Sequence, residues 1–199
     1  MARLTAIAPQ AFDAALQATL GDSLVNPQGL GLLRVLAQRP DITQTFLAFR
    51  RELAAASVLS GRLVELVRLR VAFHNQCRSC MAMRTASGAA EGVTDGLVCS
   101  LERPEEAADL TAAEKAALAY ADLLAVDHLA AGDAIFDLLR EHFSEPEIVE
   151  LGVHLAVFVG FGRLSATWDI VDDLPERFHQ RDAVVTPWGA ADAVVAVER

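Results

Sequence analysis

The chain has 199 residues, of which 53% are hydrophobic and 6% aromatic, and its net charge is −10. That size suits one domain with a sizeable core, and the Ala- and Leu-rich composition with only 12 Gly suits a helical globular protein rather than a disordered chain or a β-sandwich. The acidic balance argues against a nucleic-acid partner, because phosphate recognition needs a basic face.

Helical periodicity recurs along the chain and strand signals are nearly absent. A first amphipathic stretch runs over 11–20 and closes at Gly21, and a second covers 30–37 and stops before Pro40. Residues 43–56 follow, with Phe46, Leu47, Phe49 and Leu53 on one face. Ser60 is positioned to cap a helix that starts near Arg62, and Asn75-Gln76 reads as its end and a turn. A further helix is expected over 77–90, then a short one capped by Thr94 and ending near Leu101. The acidic segment 102–109, with Pro104, reads as a surface connection. Thr111 and Glu114 have capping-box spacing and open a helix to about Val126. Ser144 and Glu147 do the same for a long helix reaching about Trp168, in which Gly160 and Gly162 loosen the helix or admit a close neighbour. After Pro175 the pattern fades. Residues 1–175 form the expected single all-α domain, and 176–199 form a tail that lies either over a neighbouring subunit or over its own core.

The first five residues lack the apolar region of a signal peptide. The longest apolar run, 151–161, falls short of the roughly 18 residues of a membrane span and contains His154. Three cysteines are too few for a secreted disulfide framework. The expectation is a cytoplasmic protein with no membrane partner.

Cys77-Arg78-Ser79-Cys80 holds two of those three cysteines. Thiols at i and i+3 share a helix face and lie within disulfide reach. If Asn75-Gln76 turns the chain, the flanking helices form an αα-hairpin. Glu65 and Arg84 are then equidistant from the turn, and Arg84 lies one helical turn beyond Cys80. Glu65, Cys77, Cys80 and Arg84 can converge on one locus. A thiolate there is favoured by the helix start and by neighbouring cations, Arg84 and Arg78. Such a thiolate attacks a peroxide oxygen, and the sulfenic acid formed condenses with the second thiol to a disulfide. An external dithiol resets the pair by exchange. No metal or cofactor is needed for this cycle.

Glu65 standing twelve residues before Asn75-Gln76-Cys77-Arg78-Ser79-Cys80, with an apolar and basic helix between, resembles the core motif of the carboxymuconolactone decarboxylase-like superfamily. The best match there is its alkylhydroperoxidase-D-like (AhpD-like) branch. Residues 40–50 resemble the upstream helix of these proteins, 91–94 the turn after the cysteine helix, and 147–151 the late helix of longer members. The resemblance implies an AhpD-like helical fold with a central αα-hairpin carrying the cysteines. It also implies a thiol peroxidase with a hydroperoxide substrate and an external dithiol reductant, assembled as a homo-oligomer, commonly a trimer or hexamer. Cys80 is implied as the peroxide-attacking thiolate, Cys77 as the resolving partner, and Glu65 as part of a proton relay with a histidine four residues after Cys80.

That position is Arg84, which stays protonated and cannot act as a general base. Ser79 stands where the branch sometimes has a second histidine. His74 remains to stand in as the proton carrier, or else to cap carbonyls at a helix end. The alternative is a non-enzymatic or redox-sensing helical oligomer that has lost the relay. A zinc site is disfavoured, because His74, Cys77 and Cys80 offer three ligands and no second cluster follows. Met81 excludes c-type haem attachment. Cys99 is expected as a buried structural thiol and His154 as a core or interface residue. Asp169, Asp172 and Asp173 are expected as a solvated helix end.

Overall fold

The computed structural model describes residues 2–21, 24, 30–180, 184–188 and 194–196. The fold is all-α, as expected: α1 (Ala14–Leu20), α2 (Gly31–Leu36), α3 (Pro40–Ala56), α4 (Gly61–His74), α5 (Arg78–Ala82), α6 (Ala86–Ala90), α7 (Asp95–Cys99), α8 (Ala112–Val126), α9 (Asp133–Arg140) and α10 (Glu145–Trp168). The boundaries follow side-chain chemistry. Ser60 Oγ accepts from the Leu63 amide (3.1 Å) and Thr94 Oγ1 from the Leu97 amide (3.2 Å), each taking up an amide that a helix start leaves unpaired. Thr111 and Glu114 close a capping box at α8. The Glu147 carboxylate accepts from both the amide and the hydroxyl of Ser144 at α10.

α4 is the axis of the molecule. Leu63, Leu66, Val67, Leu69, Val71 and Ala72 are buried around it, and it packs against α6, α8 and α10. No residue of α4 is fully exposed, as befits a core helix. The charges it carries are all paired: Arg62 with Glu114, Glu65 with Arg68, and Arg70 with Asp122. The main core continues through Leu118 of α8, Leu139 of α9 and Leu151 and Leu155 of α10. Burying each such leucine contributes about 1.5–3 kcal/mol. α10 is long and apolar enough to cross a membrane by length and composition. In this fold it lies on α4, α5, α8 and α9, with Leu151, His154, Leu155, Gly162 and Ser165 buried.

α9 is an element that the spacing of the sequence does not delineate. It is short, has no side-chain cap at Gly132, and buries only Ile135 and Leu139. The helix expected over 77–90 is corrected to α5, the strand β1 (Met83–Thr85) and α6. β1 pairs in parallel with β2 (Val194–Ala196), Arg84 opposite Val195. The helix breaks because its free backbone groups find partners elsewhere. Arg68 takes the carbonyls of Cys80 and Met83 (both 2.8 Å), the Glu65 carboxylate takes the Thr85 amide (3.0 Å), and Thr85 Oγ1 caps α6.

The described part of the tail lies on its own cysteine hairpin. The Gln76 side chain exchanges two hydrogen bonds with the Val185 backbone (3.0 and 3.1 Å), and the Trp188 ring sits 4.6 Å from that of Phe73. Cys99, expected to be buried, is an exposed free thiol, because the short α7 turns Leu97 and Val98 inward instead. Asp169 is likewise buried rather than solvated. It ends α10 in a left-handed conformation (φ 54°), while Asp172 accepts from the Ala2 amide and Asp173 pairs with Arg34.

Candidate active site

The turn expected at Asn75-Gln76 is present. α4 ends at His74, Gln76 adopts a left-handed φ of 48°, and Cys77 caps α5. Asn75 anchors the turn to α10: Nδ2 donates to the Phe158 carbonyl (3.0 Å), and Oδ1 accepts from Arg163 Nε (3.3 Å). Gly162 makes this approach possible, since a Cβ there would stand 2.4 Å from Asn75 Nδ2. The close neighbour of Gly162 is thus a side chain.

Cys77 and Cys80 are joined as a disulfide with Cα atoms 5.2 Å apart. The two sulfurs differ in environment. Cys77 is fully buried (0% exposed), whereas Cys80 is half-buried and lines a cavity of about 180 Å³. Leu33, Phe46, Leu47, Phe158 and Phe161 give that cavity its apolar wall, with the Phe46 and Phe161 rings stacked at 4.1 Å. Arg68, Ser79 and Ser165 supply polar groups beside Cys80. A species entering the cavity meets Cys80 and not Cys77.

Glu65 is buried at 1% exposure and is held by Arg68 (2.6 and 2.8 Å) and by the Thr85 amide. Gly88 leaves the space it needs, because a Cβ there would lie 2.6 Å from Glu65 Cβ and Cγ. Arg68 is the residue beside the cysteines that the motif spacing does not single out. It joins Glu65 to the carbonyl of Cys80 and reaches the cavity wall. Its signal was an opposite-charge pair at i,i+3 on an otherwise apolar helix.

Arg84 and His74 do not reach the sulfurs. The expected meeting of Arg84 with Glu65 is replaced by bonds to the carbonyls of Met81 (2.9 Å), Met83 (3.1 Å) and Pro187 (2.7 Å), with Nε 3.8 Å from Asp95. The physical reason is that the Glu65 carboxylate is already held by Arg68 and the Thr85 amide, whereas the carbonyls at the end of α5 need donors, which the buried Arg84 guanidinium supplies. Burial and the like charge of Arg68 push the Arg84 guanidinium below its ordinary value. His74 faces α8 and meets Asp122 (Nε2–Oδ1 2.7 Å), which Arg70 also grips. Burial raises the Asp122 carboxyl, but the bonds from His74 and Arg70 outweigh this and hold it below its usual range. Of the five residues the sequence nominates, the structure joins Cys77 to Cys80 and brings Glu65 to their backbone through Arg68. Among the described residues no cluster of three or more histidine, cysteine or acidic side chains could hold a metal ion.

Residues 40–123 match the carboxymuconolactone decarboxylase family. Two uncharacterised proteins from strains of Mycobacterium tuberculosis, CDC 1551 and H37Rv, are 37% identical over 108 residues, which is 53% of this chain and 37% of theirs. The chain thus matches little more than a third of the length of those relatives. A crystal structure with an alkylhydroperoxidase AhpD core, an uncharacterised peroxidase-related protein from Ralstonia eutropha JMP134, superposes with a TM-score of 0.68 over 89% of this chain and 94% of that one, at 20% identity. That likeness establishes the fold. Residues 40–123 are thus similar to the carboxymuconolactone decarboxylase family, and the all-α fold of the chain is similar to that of the AhpD core structure.

Proposed function

We propose that the protein is a thiol peroxidase that reduces organic hydroperoxides through a Cys77/Cys80 dithiol–disulfide cycle. The observation that carries this reading is the asymmetry of the pair, with Cys80 on the wall of an apolar cavity and Cys77 buried behind it. The Cys80 thiolate attacks the terminal oxygen of the hydroperoxide. The O–O bond breaks, the terminal O–H stays on Cys80 as a sulfenic acid, and the alkoxide leaves and takes a proton from solvent to become the alcohol. The Cys77 thiolate then attacks that sulfur, hydroxide departs as water, and the disulfide forms. An external dithiol returns two electrons by exchange at Cys80, the accessible sulfur.

The cavity wall favours an apolar substrate body. Each buried methylene contributes about 0.8 kcal/mol, so an aromatic hydroperoxide is favoured strongly over hydrogen peroxide. Steady-state turnover with a dithiol reductant tests this. Cumene hydroperoxide is expected to show kcat/KM at least tenfold above that of hydrogen peroxide. Equal values, or no turnover with either, contradict the proposal.

A second reading is a redox sensor that has lost its proton carrier. Arg84 favours it, because this cation is committed to carbonyls of α5 and of the tail. We further propose a cytoplasmic homo-oligomer, trimeric or hexameric. Ile42 and Phe49 of α3 and Val149, Val153 and Leu164 of α10 are exposed and would be covered by a second copy.

A further inference from the structure

Ser79 lies inside the cysteine motif, and neither the peroxide-attacking step nor the Glu65–Arg68 pair uses it. It is 5% exposed, and its hydroxyl is 3.5 Å from Cys77 Sγ and 2.8 Å from the hydroxyl of Ser165, itself 2% exposed. Cys77 Sγ also lies 3.3 Å from the amide of Cys80, which points its hydrogen at that sulfur. The Cys80 amide therefore donates to the sulfur that no solvent reaches, and the Ser79 hydroxyl stands within reach to donate to it as well. Sulfur in a disulfide is a weak acceptor, whereas a thiolate is a strong one, and an unsolvated buried thiolate is costly. Ser165 belongs to α10 and Ser79 to α5, so the hydroxyl pair is assembled by packing of two helices rather than by local sequence.

We propose that the Ser79 hydroxyl is the group that stabilises Cys77 as a thiolate, and that Ser165 positions it by donating its own hydrogen to Ser79 Oγ. This deepens the dithiol–disulfide cycle above and rests on that reading for its physiological meaning. During reduction, a reductant thiolate attacks Cys80 Sγ, the Sγ–Sγ bond breaks, and its electron pair goes to Cys77 Sγ. There the Ser79 O–H and the Cys80 N–H receive the new charge. A second reductant thiolate then displaces Cys80 from the mixed disulfide, and the reductant leaves oxidised. A leaving thiolate that is better stabilised leaves faster. In the oxidising direction the same bond holds Cys77 ready to attack the sulfenic acid of Cys80. Ser79 touches a reacting atom, whereas Ser165 acts through it.

The test needs no peroxide, so its failure is distinct from failure of the peroxidase reading. Full-length protein is equilibrated in dithiothreitol redox buffers, and the reduction rate is followed separately by rapid quench and intact mass. Ser79→Ala is expected to shift the dithiol–disulfide equilibrium about tenfold toward the disulfide, which corresponds to about 30 mV for a two-electron couple. It is also expected to slow reduction about threefold to tenfold. Ser79→Thr, which keeps the hydroxyl, is expected to restore both values, and Ser165→Ala to move them the same way by a smaller factor. A purely packing role moves the unfolding midpoint but neither redox value. Unchanged equilibrium and rate in Ser79→Ala overturn the proposal. Should Ser79→Ala fail to fold, Ser165→Ala decides on the same readings: a shift supports the proposal and none overturns it.

Discussion

Glu65 carries a charge into the core at 1% exposure, and such a charge persists only when paired and hydrogen-bonded. Arg68 and the Thr85 amide supply those bonds. Removing one partner of a buried pair leaves the other uncompensated, so Arg68→Met is expected to cost about 3–5 kcal/mol in urea unfolding. A loss below 1 kcal/mol would show the pair to be dispensable. Two other residues predict the acid response. Burial holds the His154 imidazole below its ordinary value of 6.5, an effect that Glu150, 3.5 Å away, offsets only in part. Asp122 is held below its ordinary 3.8. A group whose folded value lies below its unfolded one contributes stability that is complete above the unfolded value and is lost as pH falls through the folded one. Unfolding stability is therefore expected to decline first below pH 6.5 through His154, then again below 4.5 through Glu114 and Glu150, joined below 3.8 by Asp122. His154→Gln is expected to remove the upper step only, and a profile unchanged by that substitution contradicts the assignment. Of these residues, Glu65 was legible in the sequence through its spacing from the cysteines. Arg68 was not, because the same i,i+3 pair on a surface helix is of little consequence, and only burial distinguishes the two.

At the scale of elements, the helix starts were readable because capping is local. Ser60, Thr94 and Thr111 each close a bond within three residues. The break at Met83–Thr85 was not readable, since what ends α5 comes from α4 and from the distant tail. Arg84 shows the consequence. Its position in the motif pointed to Glu65 and the thiols, yet it secures the tail to the hairpin. Arg84→Met removes the Arg84 bonds to the carbonyls of Met81 and Pro187, each costing about 1–3 kcal/mol if left unsatisfied, while that of Met83 keeps its bond from Arg68. The expected result is a lower unfolding midpoint together with disulfide formation that still occurs on oxidation. Loss of disulfide formation in a folded Arg84→Met would return Arg84 to the chemistry. Gly162→Ala probes the other side of the turn. Its new methyl would meet Asn75 Nδ2 at 2.4 Å, so a loss of about 1–3 kcal/mol is expected from overpacking.

At the scale of the molecule, helical content and all-α class were legible from composition and periodicity, while the cavity was not. Its wall is drawn from α2, α3, α4, α5 and α10, which no sequence window contains together. That assembly gives the two cysteines different surroundings although they sit three residues apart. In the proposed cycle Cys80 attacks and Cys77 resolves. The most direct measurement is stopped-flow oxidation of the reduced protein by cumene hydroperoxide with intact-mass analysis, run beside Cys77→Ser and Cys80→Ser. The expected result is rapid loss of both thiols of the pair in the parent chain, a trapped sulfenic acid at Cys80 in Cys77→Ser, and no rapid phase in Cys80→Ser. Oxidation of the parent no faster than that of free cysteine, or a rapid phase that survives in Cys80→Ser, would contradict it.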